Sequence, residues 1–287
     1  MNKGKRLHMY FPRKLGSIIA ILGFFISVGI QAQVHVKGQV RSAVDEQPLP
    51  YVNIGVLGKS MGTVSDEDGM FELVLYRENE ADSIRISMIG YQHQTYLVRD
   101  FIQGLNHKGT LYMEERFEEL SEVVVTPEKR KIKVLGNTSK SKKNLVEAPS
   151  EELGSEIGIK IKIKRAPTII KRFNTKVLTK EYASFKFRLN FYDIKDGMPH
   201  NNLLNENIII SSKDIHYGIL DIDLAPYDIV VEDDFFVTLE WIEGDKGKLL
   251  RFPASILGGK LVLRKVSQSS WEAAPIGSLG FNVTVEY

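Results

Sequence analysis

Apolar and polar residues alternate with a period of two along most of this chain. Val34 to Ser42 sets Val34, Val36 and Val40 on one face, as a half-buried strand does. Gln47-Pro48-Leu49-Pro50 interrupts the pattern, because proline lacks an amide donor and fixes its own φ. Tyr51 to Val56 resumes it with Val52, Ile54 and Val56 aligned. Asp66-Glu67-Asp68-Gly69 then separates Thr63-Val64 from a strand running from Met70 to Leu75. Short acidic side chains bond their own backbone and Gly69 admits a positive φ, so a hairpin turn is predicted there. Ser83 to Ile89 and Gln94 to Val98 are further strands, joined by a bend at Gly90-Tyr91. The first part is thus expected to be a small antiparallel β-sandwich of about seven strands.

The same period returns from Gly158. Ile159, Ile161 and Ile163 alternate with Lys160, Lys162 and Lys164, a lysine face of the kind that protects the edge of a sheet. Phe185, Phe187, Leu189 and Phe191 alternate with Lys186, Arg188 and Asn190 in the strongest strand of this half. Further strands are predicted at 207–210, 216–221, 235–241, 249–252, 260–264 and 281–287. Turns at Asp196-Gly197-Met198-Pro199, Glu243-Gly244-Asp245 and Leu257-Gly258-Gly259 separate some of them. Helical periodicity is nearly absent. A second β-sandwich, of jelly-roll type, is the natural reading.

Five motifs in a fixed order carry a resemblance. Gly38-x-Val40, Gln47-Pro48-Leu49-Pro50-Tyr51-Val52-Asn53, Gly62-Thr63, Ser65-Asp66-x-Asp68-Gly69-x-Phe71 and Ile89-Gly90-Tyr91 resemble the carboxypeptidase-regulatory-like (CarboxypepD_reg-like) domain over roughly Val34 to Thr126. The family is common in Gram-negative envelope proteins, including the front of TonB-dependent receptors. The resemblance implies an immunoglobulin- or transthyretin-like sandwich whose acidic turn and glycine-tyrosine pair are structural. Glu119 to Pro127 resembles the segment leading into the plug of such receptors, but the 160 residues that follow are too few for their large barrel. Phe187 to Tyr192, Asp223-Leu224, Tyr227-Asp228-Ile229 and Phe235 to Trp241 are similar to an uncharacterised C-terminal region often found after this domain, which implies no activity.

Charge and the start of the chain set the compartment. Lys3, Lys5, Arg6, Arg13 and Lys14 precede an apolar run from Leu15 to Ile30 and then Gln31-Ala32-Gln33, the order of a secretory signal peptide cleaved after Ala32. Removing 1–32 takes away five basic and no acidic residues and moves the formal charge from +2 to −3. There is no cysteine, so neither disulfides nor a lipidated N-terminal cysteine is available. Residues 34–126 carry a net charge of −7 and residues 127–149 a net of +5, with seven basic and no acidic side chains between Lys129 and Lys143. That composition predicts a basic linker over 127–149, either a solvated tether or a contact with phosphates at a membrane surface or with the acidic first domain. The expected division is a leader at 1–32, the regulatory-like sandwich at 33–126, the linker at 127–149 and the second sandwich at 150–287.

Candidate chemistry is thin. Gly58-Lys59-Ser60-Met61-Gly62 fits a nucleophile elbow, but a helix should follow and an acidic turn and strand do. The same residues fail as a phosphate loop, since Asn53 stands where the first glycine should be. His35, His93, His107, His200 and His216 lack glutamate at a zinc-site offset. Asp66-Glu67-Asp68, or Glu232-Asp233-Asp234 with Asp221 and Asp223, offer hard oxygens for calcium without EF-hand spacing. Trp241, Trp271, Tyr192, Tyr217 and Tyr227 would suit a sugar-binding face or a core. Phe281, Val283, Val285 and Tyr287 look like the last strand of an outer-membrane barrel, yet the strands are short for one. The expectation is an exported all-β protein, periplasmic or outer-membrane-associated, with no catalytic, cofactor-binding or metal-binding residues. Its expected partner is another envelope protein. A glycan is the alternative, a metallopeptidase-related enzyme is disfavoured, and nucleic acid is not expected.

Overall fold

The computed structural model describes residues 33–116, 131–148, 152–179, 184–244, 250–275 and 277–287. The leader at 1–32, the boundary at 126 and the segment Glu119 to Pro127 fall outside them. The first sandwich holds β1 (Gln33–Ser42), β2 (Asn53–Val56), β3 (Gly62–Val64), β4 (Met70–Tyr76), β5 (Ser83–Ser87), β6 (Gln94–Leu97), helix α1 (Val98–Lys108) and β7 (Thr110–Met113). One sheet has the order β4-β1-β7 and the other β3-β2-β5-β6. The alternating residues Val36, Val40, Ile54, Val56, Phe71, Leu73, Ile84 and Ile86 meet in one core. The acidic turn is a local device. Asp66 Oδ1 accepts from the backbone N–H of Asp68 at 3.0 Å and of Met70 at 2.8 Å. Gly69 sits at φ +70, where an added Cβ would come within 2.5 Å of Val40 O.

Two features depart from the expected antiparallel sandwich. β7 pairs with β1 in parallel, and α1 supplies the crossover that a parallel pair needs. The helix buries Val98, Phe101 and Leu105 against the core, with the Phe101 ring 6.3 Å from that of Phe71. Its N–H groups continue to Gly109, which ends the helix at φ +65 by bonding Leu105 O.

The second sandwich comprises β8 (Ile132–Gly136), β9 (Leu145–Ala148), β10 (Glu156–Ile161), β11 (Thr168–Lys176), β12 (Phe185–Lys195), β13 (Met198–Asn202), β14 (Ile208–Ser211), β15 (Ile215–His216), β16 (Ile219–Asp223), β17 (Val230–Val231), β18 (Phe235–Gly244), β19 (Leu250–Ser255), β20 (Leu261–Arg264), β21 (Glu272–Ala273), β22 (Ser278–Leu279) and β23 (Asn282–Glu286). One sheet runs β13-β12-β18-β10-β20-β21 with β14 also on β12; the other runs β15-β16-β11-β23-β8 with β17 also on β11. A short β22-β19-β9 sheet flanks them. The core is aromatic: Phe281 meets Phe173 and Phe252 edge to face, with centroids 5.3 Å apart in each case, and Phe187 meets Trp241 likewise.

Two expectations change here and one is met. The described part of the 127–149 linker, residues 131–148, holds two strands: β8 pairs with β23 and β9 with β19. Its lysines flank short apolar runs, and Leu135 reaches the core, so the basic average conceals strand-forming residues. β10 is not an edge strand, because β18 and β20 pair with both its sides. It starts at Glu156 and leaves the sheet after Ile161, so Lys162 and Lys164 lie beyond it and Lys160 pairs with Asp234 at 3.0 Å. The strand predicted at 281–287 is present as β23, the last strand of the second sandwich, lying between β11 and β8. Residues 33–287 form one compact unit.

Candidate functional site: a basic cleft beside a buried ion ladder

β12 sends Phe187, Leu189 and Phe191 into the aromatic core, so the pleat turns Arg188, Asn190 and Tyr192 to the other face. Alternation marks that face as polar, as on a strand with one face toward solvent. It is buried instead. Across the sheet, Arg188 stands opposite Glu240, Glu240 opposite Glu156, and Glu156 opposite Arg264. The four make a ladder of charges on adjacent strands, none more than 8% exposed. Arg264 Nη2 lies 2.6 Å from Glu156 Oε2, and Arg188 Nε lies 3.3 Å from Glu240 Oε2 as an ion pair without a hydrogen bond. Asn190 Nδ2 donates to both carboxylates, at 3.0 and 3.1 Å, and the Thr238 hydroxyl donates to Glu156. Burial raises the Glu156 carboxyl above the ordinary range; Arg264 opposes that rise and Glu240 adds to it.

The first sandwich and a loop cover this face. Arg188 Nη2 donates to Tyr51 O at 2.7 Å. The Arg264 guanidinium stacks 5.0 Å over Trp271, whose ring meets Tyr192 edge to face at 5.7 Å. After β20, Ser267 Oγ donates to Asn53 Oδ1, Gln268 Nε2 donates to Ser87 Oγ, and Gly58 N donates to Gln268 O. The approach is close because Gly55 and Gly62 lack side chains. A Cβ on either would stand 2.3 or 2.2 Å from Ser267 O. At the rim, Lys186 Nζ donates to the Tyr51 hydroxyl at 2.7 Å, to Glu243 at 2.9 Å and to Glu67. Burial pushes the Tyr51 phenol up to about 12. Burial works against the Lys186 ammonium, but its hydrogen bonds to Glu67, Tyr51 and Glu243 outweigh that and raise its pKa. Hydrogen bonds from Lys186 and Tyr51 hold the Glu67 carboxyl below the ordinary range.

Beside the seam lies a cleft of about 550 Å³ lined from both sandwiches. Apart from the phenols of Tyr91 and Tyr192, its ionisable lining among the described residues is basic: Arg85, Arg116, Arg188, Arg264, His93 and His200. The ladder glutamates beneath it offset Arg188 and Arg264. Arg85 is different. It sits on β5 between Ile84 and Ile86, which are in the core, and so points away from that core. Half-buried, it has no ion-pair or hydrogen-bond partner among the described residues, and its Nε is fully buried.

The sequence-derived candidates scatter. Ser60 lies in the turn between β2 and β3, with a strand following and no helix. Asp66 is bound to its own turn, Glu67 to Lys186, Asp221 and Asp223 to Arg172, and Asp234 to Lys160. No group of three or more potential metal ligands occurs among the described residues. His93 and His200 share the cleft, whereas His216 is exposed on β15. Of the five aromatics proposed for a sugar face, Trp241 is in the core and Tyr217 is fully exposed; only Tyr192 and Trp271 come together, next to the cleft. Arg85, Glu156 and Arg264 were missed. Their signal was present: each is a charge next in sequence to apolar strand residues, Ile84 and Ile86 for Arg85, Ile157 for Glu156 and Leu263 for Arg264.

The family model of the CarboxypepD_reg-like domain matches at 36–125. Residues 36–125 are a CarboxypepD_reg-like domain. The regulatory-like domain thus supplies Asn53, Arg85 and Tyr51 to the cleft and seam. A similar relative is the TonB-dependent receptor SusC of Bacteroides thetaiotaomicron, 38% identical over 78 residues. The match takes in 27% of this chain and 7% of the receptor. Among solved structures, the infectious bursal disease virus VP2 subviral particle aligns over 88% of this chain and 63% of that one, with 9% identity and a TM-score of 0.28. A score that low carries no argument.

Proposed function

We propose that this chain is an exported, non-catalytic interaction protein of a Gram-negative envelope. In it the regulatory-like domain is fixed against a second sandwich to present one composite surface to another envelope protein. The observation that carries this reading is the seam. Gly55 and Gly62 lie against Ser267 at backbone distance, and Tyr51 joins Lys186 and Arg188. A domain held so closely acts as a wall of a binding surface rather than as a tethered passenger. The similarity of the regulatory-like domain to part of an envelope receptor supports the compartment. The polar residues brought together are committed to one another in ion pairs, which suits positioning more than turnover. Affinity capture from an envelope extract, with Gly62→Trp as the seam-disrupted control, tests it. A reproducible protein partner captured by the wild type and lost in the control is expected. Absence of a partner, together with peptide hydrolysis by the purified protein, would reverse the reading.

A further inference from the structure

We infer that the cleft between the two sandwiches is a binding site for a small acidic saccharide, with the Arg85 guanidinium receiving its carboxylate or phosphate. Five observations converge. Among the described residues the cleft is lined by arginines and histidines and by no carboxylate. Its two deepest arginines are neutralised by Glu240 and Glu156, which leaves Arg85 as a cation without a compensating carboxylate among the described residues. A half-buried charge with no partner is costly, and an anionic ligand would remove that cost. The remaining walls mix apolar side chains, Met88, Ile89, Leu203 and Leu204, with amides and phenols such as Asn205, Gln268 and Tyr91, which offer the donors and acceptors that sugar hydroxyls use. A volume of about 550 Å³ lies within the range of small-ligand sites. Tyr192, flanked by Trp271, adds an aromatic edge.

This rests on the reading of the protein as a binder and does not depend on which envelope protein it meets. Titration calorimetry on the purified protein at roughly physiological salt would compare digalacturonate, a hexose phosphate, a neutral disaccharide and inorganic phosphate. At least one of the two acidic sugars is expected to bind in the micromolar to millimolar range, at least tenfold more tightly than the neutral disaccharide and than phosphate alone. Arg85→Gln is expected to weaken it at least tenfold with a thermal midpoint no lower than the wild type's, since the substitution removes an uncompensated charge, and Arg85→Lys to fall between. The two acidic probes separate a carboxylate from a phosphate as the recognised group. The inference is overturned if neither acidic sugar binds, if the neutral disaccharide or inorganic phosphate binds as tightly, or if Arg85→Gln binds as wild type. Failure of all four probes would leave the protein-capture result standing, so the two readings fail separately.

Discussion

Arg188 shows how much one side chain can hold at this seam. Its guanidinium faces Glu240, donates to Tyr51 O and reaches Asn207 Oδ1 at 3.3 Å, so its removal strands a buried carboxylate and a carbonyl. Arg188→Ala is expected to lower unfolding free energy by about 3–5 kcal/mol, measured by urea denaturation, because breaking a buried pair leaves an uncompensated charge. Arg188→Lys should recover only part, since an ammonium lacks the planar fork that serves three acceptors. The rim cluster has a pH signature. Glu67 has a lowered pKa in the folded protein, so its contribution is present above the ordinary glutamate range and is lost as pH falls through the lower folded value. Tyr51 has a raised one, so its contribution is present below pH 10 and is lost as pH rises through about 12. Denaturation midpoints across both ranges should fall at each extreme. Glu67→Gln should flatten the acid limb most, because Glu67 is a lesser contributor to the alkaline one; an acid limb as steep as the wild type's would count against the Lys186 cluster.

Among the elements, the β2–β3 hairpin and the loop after β20 meet where side chains are absent. Gly62→Ala is expected to cost about 1–3 kcal/mol by overpacking, since its Cβ meets a backbone oxygen that cannot swing aside. Gly104→Ala on α1, with open space around it, should be neutral or slightly stabilising in the same assay. Much of the strand pattern was legible in the sequence because alternation and turn chemistry act locally. Val36, Ile54 and Leu73 point inward as their spacing requires, and Asp66 and Gly69 make the turn that their side chains favour. What escaped was set by distant partners. The α1 face is three apolar residues in a polar stretch, continuous with the preceding strand, and its helix is fixed by packing on Phe71. β11 carries Lys171, Arg172 and Lys176 among its apolar residues, and is recognisable once β16 and β23 are seen beside it. The polar face of β12 was visible as alternation. That another sandwich would bury it was not, because no residue near Arg188 in sequence encodes Tyr51.

For the whole molecule, the seam replaces the tethered pair that composition implies with one body. Tyr51, Val64 and Ile242 form a small apolar cluster across it, reinforced by the hydrogen bonds of Ser267 and Gln268. Calorimetry should therefore show one unfolding transition with equal calorimetric and van't Hoff enthalpies. Two well-separated transitions would show the sandwiches to be independent. Strand order bears on biosynthesis as well. β8, at residues 132–136, waits for its partner β23, at 282–286, and β23 also completes β11. Joining positions so far apart is slow compared with closing a hairpin. A nascent chain carries two bare strand margins until its final segment emerges, and such margins recruit foreign strands. Stalled synthesis would thus leave a product that aggregates through residues 132–136, far from the point of arrest.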